Sequence, residues 1–288
     1  MGWEADTTNL RYSKGTKPTV GRNIAIAEYP LNNNRHVDYT LFVGTKLLAV
    51  LEAKRDDAAQ AQAQTSVYVK DIAGDYNVFP FAFFSDYYTT YFWEMGTGNK
   101  RLVSGVFAPE DLERLAHIRQ HQSPLASVQP NLKIADRTYQ LEAIQRIGEA
   151  FEAGKRRALL VMATGTGKTR TAMALIELFL QTGQALKVLF VADRDALVTQ
   201  ALEKGFKEHL RDEPRDRIFT KRIDKTKRLY VATQQTLERC YQDFSPGFFD
   251  LVIFDEAHRS LFNKFAEVVD YFDARMIGLT ATPASFIN

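Results

Sequence analysis

The sequence predicts an α/β protein in two parts: a small mixed-sheet unit, then a parallel-sheet unit. Three observations carry this. Strand-like runs crowd residues 20–107, with one helix-forming stretch among them. From Tyr139 onward, short apolar runs alternate with helical periods, as parallel sheets covered on both faces require. The first of those later strands leads into the glycine-rich turn "ATGTGKT".

In the first part, "VDYTLFV" (37–43) and "LLAVLEAK" (47–54) read as strands joined by a short turn at Gly44 and Thr45. Residues 58–73 have good helix formers and no period of two, so they read as a helix ending near Gly74. The aromatic runs "NVFPFAFFSD" and "TTYFWEM" and then "KRLVSGVF" read as further strands, with Pro80 making the first an edge or interrupted strand. "PEDLERLAHIRQHQ" (109–122) reads as a helix opened by Pro and acidic residues, and the two prolines of "SPLASVQPNLK" suggest a linker. In the second part strands are expected at 158–162, 187–192, 229–233, 250–254 and 276–280.

Bulk properties set limits. The chain has 45% hydrophobic residues, 20 Phe and 12 Tyr, which is ample for packed interiors and excludes disorder over most of its length. Lys plus Arg exceed Asp plus Glu by 37 to 35, so overall charge neither demands nor forbids a polyanionic partner. A single cysteine, Cys240, excludes an internal disulfide framework and reads as a lone buried thiol in a reducing compartment. No run approaches the roughly 18 apolar residues of a membrane span, and the N-terminus has no signal-like apolar stretch. The expected location is the cytoplasm, with no membrane partner.

The turn "ATGTGKT" with Thr164, Gly165, Thr166 and Gly167, between a strand and the helical run "RTAMALIELFLQ", lets backbone N–H groups converge on phosphate. Lys168 would neutralise phosphate oxygens and Thr169 would complete a Mg²⁺ shell. Met162 stands where the strict pattern has glycine, and an ordinary strand–helix turn is the alternative. Against that alternative stands "LVIFDEAHR", an apolar strand delivering Asp255 and Glu256 just past its end, where open parallel sheets place ligands. Asp255 can hold Mg²⁺, and Glu256 can polarise the water attacking the terminal phosphate. "MIGLTATP" supplies a third strand ending in the hydroxyls Thr280 and Thr282.

Earlier in the chain, Glu52 and Lys54 share one face of a strand, while Ala53 points the other way. With the turn at Gly44 and Thr45, Asp38 pairs near residue 51, within reach of Glu52. Two adjoining carboxylates favour a hard divalent cation between them, and a lysine alongside can stabilise charge developing on a phosphate. That is the composition of a metal-dependent phosphodiesterase site, although so short a pattern also arises by chance in strands. The basic run "KRIDKTKR" (221–228) reads equally as a phosphate contact or a solvated loop, and no role is assigned to it.

"ATGTGKT", "DEAH" and "TATP" resemble motifs I, II and III of superfamily 2 helicases and translocases, in their usual order. The resemblance implies a RecA-like lobe over 133–288 that binds ATP and Mg²⁺. Within it Gln140, in "RTYQLEAIQRI", would meet the adenine edge, and His258 would couple the nucleotide site to Thr280 and Thr282. The alternative for Gln140 is a solvent-facing helix position. "VLFVADRDALVTQ" and "YVATQQTL" resemble the intervening motifs that contact a nucleic-acid strand.

Residues 1–108 resemble the PD-(D/E)xK nuclease fold, with Asp38, Glu52 and Lys54 as its catalytic set and Val37 at the usual proline position. Glu28 resembles an additional acidic residue of that fold, and Gln64 and Tyr68 match its Q-x-x-x-Y element. Residues 109–132 are then a helical segment and linker. The order of the two parts resembles the restriction or motor subunit of type I restriction-modification enzymes. The resemblance implies ATP-driven translocation on double-stranded DNA, metal-dependent cleavage, and partnership with specificity and modification (methyltransferase) subunits. A type III restriction subunit, a non-cleaving translocase and a nucleotide-gated interaction module are the alternatives. Because the sequence stops soon after "TATP", it is expected to be a fragment lacking the second motor lobe, one that binds nucleotide with little or no hydrolysis.

Overall fold

The structure is a computed structural model that describes residues 2–31, 35–53, 65–73, 79–86, 88–94, 100–256 and 265–282. The chain divides into two compact units, Met1–His117 with Ser245–Gly247, and Ile118–Phe244 with Phe248–Asn288.

The first unit is built on a seven-stranded sheet whose spatial order follows the sequence: β1 (Glu4–Ala5), β2 (Asn23–Leu31), β3 (Arg35–Val43), β4 (Lys46–Ala53), β5 (Phe81–Ser85), β6 (Thr90–Trp93) and β7 (Arg101–Val103). The pairs β1/β2 and β4/β5 are parallel and the others antiparallel, so the sheet is mixed as expected. A parallel pair needs a crossover, and helix α1 (65–73) lies between β4 and β5 in the chain. Its Tyr68, Val69 and Ile72 bury against Val50 and Ala82 on one face. Leu112 and Ala116 of α2 (Pro109–His121) pack with Phe83, Phe92 and Phe107 on the other.

Two expectations need correction here. β5 is neither an edge nor an interrupted strand, because Pro80 sits just before its first residue, where no ladder donor is needed, and β4 and β6 flank it. The β3/β4 register also differs from a uniform ladder. Val43 pairs with Lys46 and Phe42 with Leu47, but Leu41 then pairs with Ala49, leaving Leu48 as one extra residue. Leu48 and Ala49 consequently bury on the same face. Beyond this bulge Tyr39 pairs with Leu51, so the next step sets Asp38 opposite Glu52, not residue 51.

The second unit carries a six-stranded, all-parallel sheet in the order β10-β11-β9-β12-β13-β8. Strands β8 (Arg157–Val161), β9 (Val188–Ala192), β11 (Leu229–Thr233), β12 (Leu251–Phe254) and β13 (Arg275–Thr280) fall within one residue of the expected positions. The polar β10 (Arg215–Arg217) at the edge was not expected. Alternate residues of β9 enter two separate cores. Val188, Phe190 and Ala192 pack with α3 (Thr138–Glu152) and α4 (Lys168–Gln181), while Leu189 and Val191 face the aromatic cluster around Phe244, Phe249 and Phe272.

The proposed linker folds into this unit: Leu125 is buried in the first core, close to Gly148 of α3. The basic run 221–228 is tied down internally, with Lys227 on Asp224 at 3.2 Å, Arg228 on Glu213 at 2.7 Å and Lys225 donating to the Asp243 carbonyl. Cys240 is buried, which pushes its thiol pKa up to about 11 and leaves it a poor nucleophile. Among the described residues no helix is long and apolar enough to cross a membrane.

Candidate functional site

In the second unit the parallel register aligns the ends of β8, β13 and β12, with Val161 beside Thr280 and Phe254 beside Gly278. Met162 continues past β8, its N–H donating to the Thr280 carbonyl at 2.9 Å and its side chain buried in the core. The chain then turns through Gly165 (φ +81°) and Gly167 (φ +92°), both left-handed, with Thr166 donating from N and Oγ1 to the Ala163 carbonyl. Thr164 is exposed on this turn, and Thr169, in the first turn of α4, is half-buried.

Lys168 opens α4. Its largely buried side chain lies 3.4 Å from the Met162 carbonyl oxygen and 3.8 Å from Glu256. Glu256 reaches that position because its backbone is left-handed (φ +54°), an uncommon state for a residue with a side chain. Asp255, just past β12, is buried and fixed by its N–H on the Val191 carbonyl (2.8 Å), while its Oδ1 accepts the Glu256 N–H (3.1 Å). Burial first, and then the Glu256 charge, raise the Asp255 pKa, with Lys168 pulling the other way. Thr280 is fully buried, its Oγ1 donating to the Thr282 carbonyl at 2.9 Å and lying 3.2 Å from the Thr282 nitrogen.

Gln140 is not in solvent. It is 2% exposed, and its Nε2 donates to the Thr166 carbonyl (3.1 Å) while its Oε1 accepts the Arg137 N–H (3.4 Å). Tyr139, which the sequence reasoning passed over, donates its hydroxyl to the same carbonyl at 2.9 Å and receives Arg137 at 2.6 Å. The start of α3 thus clasps the loop from one side. The only advance signal was the adjacency of "RTYQ" to a helix start.

These residues fit a nucleotide with its magnesium. A Cβ at Gly165 would meet nothing within 4 Å, so the loop's open side leaves room for phosphate, and Lys168, Asp255 and Glu256 converge beside it. The raised pKa of Asp255 has a consequence for stability. Its ionised form is disfavoured in the fold, so the stability it allows at acid pH is lost as pH rises through its folded pKa. D255N is therefore expected to raise the thermal midpoint at neutral pH in the absence of ligand, and to abolish the further rise that MgATP causes. Thermal melts with and without MgATP check both.

In the first unit Asp38 and Glu52 interlock across β3 and β4. The Asp38 carboxylate accepts the Ala53 N–H at 2.8 Å, and a Glu52 carboxylate oxygen stands 3.5 Å from the Asp38 nitrogen. Glu52 is 1% exposed. Were Leu48 paired in a uniform ladder, Asp38 would stand opposite Leu51, whose side chain leaves the sheet on the other side from Glu52. Two oxygen donors so placed suit Mg²⁺, which takes one or two carboxylates and keeps several waters. Among the described residues no third His, Cys, Asp or Glu joins them.

Glu28 stands in β2 in a left-handed conformation (φ +50°), more than half exposed and ion-paired with Arg11. Tyr68 is buried against the sheet. Lys54, Gln64 and His258 lie outside the described residues.

Residues 133–285 match the family described as the type III restriction enzyme res subunit, and residues 4–101 match the second domain of the type I restriction enzyme EcoKI endonuclease subunit. The EcoKI endonuclease subunit of Escherichia coli K12 is 29% identical over 98% of this chain, which spans 31% of that protein. The EcoAI endonuclease subunit of E. coli is 37% identical over 51% of this chain and 19% of its own length. A solved fragment described as an HsdR subunit of a type I restriction enzyme from Vibrio vulnificus YJ016 is 26% identical, with a TM-score of 0.42 over 93% of this chain and 50% of that one. With the res-subunit family matching more than half its length and a domain of the EcoKI endonuclease subunit matching ahead of it, the chain belongs to the restriction-enzyme res family and is homologous throughout to type I restriction endonuclease (HsdR) subunits.

Proposed function

We propose that the chain supplies the DNA-cutting unit and the first motor lobe of a type I restriction endonuclease subunit. In this reading ATP hydrolysis drives translocation along double-stranded DNA, cleavage is metal-dependent, and specificity and modification subunits complete the assembly. The observation that carries the reading is the Asp38–Glu52 interlock, in the same chain as a loop that presents Lys168 to Glu256.

In the motor lobe, Gly165 and Gly167 allow the backbone to curl around phosphate, and Lys168 would exchange the Met162 carbonyl and Glu256 for phosphate oxygens. Thr169 and Asp255 would hold Mg²⁺. Glu256, once released, would orient and deprotonate the attacking water. Gln140 would keep its grip on the Thr166 carbonyl and offer its second amide hydrogen to the base.

In the nuclease unit Asp38 and Glu52 would hold the metal, and Lys54 would stabilise charge on the phosphate. Bound Mg²⁺ supplies Lewis-acid polarisation of the phosphoryl oxygen and an acidified water. The Ala53 N–H orients the Asp38 carboxylate, and burial in the sheet restricts the Glu52 side chain.

E52A is the test. Calorimetric titration of the 288-residue chain with Mn²⁺ should lose its binding isotherm, and the assembled enzyme should cut at least about a hundredfold more slowly while still hydrolysing ATP. Unchanged metal binding and cleavage in E52A would falsify the nuclease assignment and favour a translocase whose first unit only binds.

A further inference from the structure

On the sheet face that carries α1, residues in register form a row starting at the carboxylates. Glu52 stands beside Phe84, Phe84 beside Tyr91, and Tyr91 beside Leu102. The Phe84 and Tyr91 rings stack at 5.0 Å with 13° between their planes. Lys100 holds its ammonium over both, 5.9 Å and 5.7 Å from their centroids. A cation is thus stationed on the row that begins at Glu52, one or two strand widths away.

One step further along the strands Ala53 pairs with Ser85, and the chain turns back into β6 at the same end of the sheet as the carboxylates. The described residues of that turn are hydrogen-bonded to one another. Asp86 Oδ1 accepts the N–H groups of Tyr88 (2.8 Å) and Thr89 (2.6 Å), while Ser85 Oγ lies 2.8 and 2.9 Å from the carbonyl oxygens of Asp86 and Thr89. Those backbone donors hold the Asp86 carboxyl below its ordinary pKa, so it stays an acceptor through mildly acid pH. The turn carries Tyr88, which is 89% exposed. The ring faces outward from a backbone held by four hydrogen bonds.

We infer that Tyr88 and Lys100 form a surface that holds the sugar–phosphate backbone of double-stranded DNA beside the Asp38–Glu52 pair. Lys100 contributes charge, while Tyr88 packs its ring on a sugar and donates its hydroxyl to a phosphate oxygen. DNA is the occupant because the cation and the aromatic tip flank two carboxylates whose chemistry is phosphodiester cleavage. The inference rests on the nuclease reading proposed above.

The assembled enzyme carrying Y88A or K100A should cleave DNA roughly tenfold more slowly, with DNA-stimulated ATP turnover at the wild-type level. K100R should restore most of the rate and Y88F part of it. The K100A deficit should shrink as salt is raised from about 50 to about 200 mM, because it reflects counterion release, whereas the Y88A deficit should hold constant. Wild-type cleavage by either alanine variant overturns the inference, as does a loss of ATP turnover equal to the loss of cleavage. E52A run alongside separates the two failures. A fully active E52A removes the nuclease reading itself, and an inactive E52A beside an active Y88A or K100A removes only this surface.

Discussion

K168A is expected to lower DNA-stimulated ATP turnover of the assembled enzyme by about a hundredfold to a thousandfold. The Lys168 side chain is only 11% exposed and lies between the Met162 carbonyl oxygen and Glu256, so its ammonium is already positioned and largely stripped of water. A cation in that state stabilises phosphoryl charge far more than a solvated one, and alanine leaves nothing in its place. The variant has a second effect. Lys168 offsets the repulsion between Asp255 and Glu256, so its loss should raise the Asp255 pKa further and weaken metal binding near neutral pH. K168R keeps the charge but replaces a point donor with a planar fork, and is not expected to rescue turnover. Steady-state hydrolysis decides the matter, with wild-type turnover in K168A contradicting the assignment of the loop.

G167A should act through the backbone. Gly167 has φ +92° and ψ +32°, and a Cβ there would come within 2.5 Å of Gln140 Nε2. Alanine in this region carries left-handed strain, and Gln140 must leave the Thr166 carbonyl to make room, losing a buried hydrogen bond. Together these cost about 2–3 kcal/mol. For a unit of this size the thermal midpoint should fall by roughly 5–10 °C. Nucleotide affinity should fall with it, because Gln140 and Tyr139 both brace the turn through Thr166. A nucleotide-free melt matching wild type, alongside normal ATP binding, would show that the clasp is dispensable.

How much of this was legible in the sequence depended on how regular each element is. The parallel strands were readable because each is a short apolar run, and β9, β11 and β12 are buried on both faces, as with "VLFVA" in β9. β10 was not, since "RDR" has no apolar signal and is a strand only because β11 pairs with it. The lysine loop and the "DE" strand end were legible through spacing. The left-handed turn that carries Glu256 to Lys168 left no mark, because nothing in "FDEA" reports a positive φ. Gln140 showed itself as a polar residue at a helix start, but its burial under Thr166 depends on where the loop folds back, and that contact spans 26 residues. The β4 bulge was invisible for a similar reason: in "KLLAV" every residue after the lysine is apolar, so no alternation reveals that Leu48 and Ala49 face the same way.

That surplus leucine gives the arm between β3 and β4 one residue of slack. Hairpins near a surface commonly tolerate the gain or loss of a residue, and removing Leu48 would leave the strands paired and the turn at Gly44 intact. Leu41 would then pair with Ala49 in an unbroken ladder, and Asp38 would still stand opposite Glu52. Deleting one more residue between Leu47 and Glu52 would instead bring Glu52 opposite Tyr39 and part the two acids without unpairing the strands.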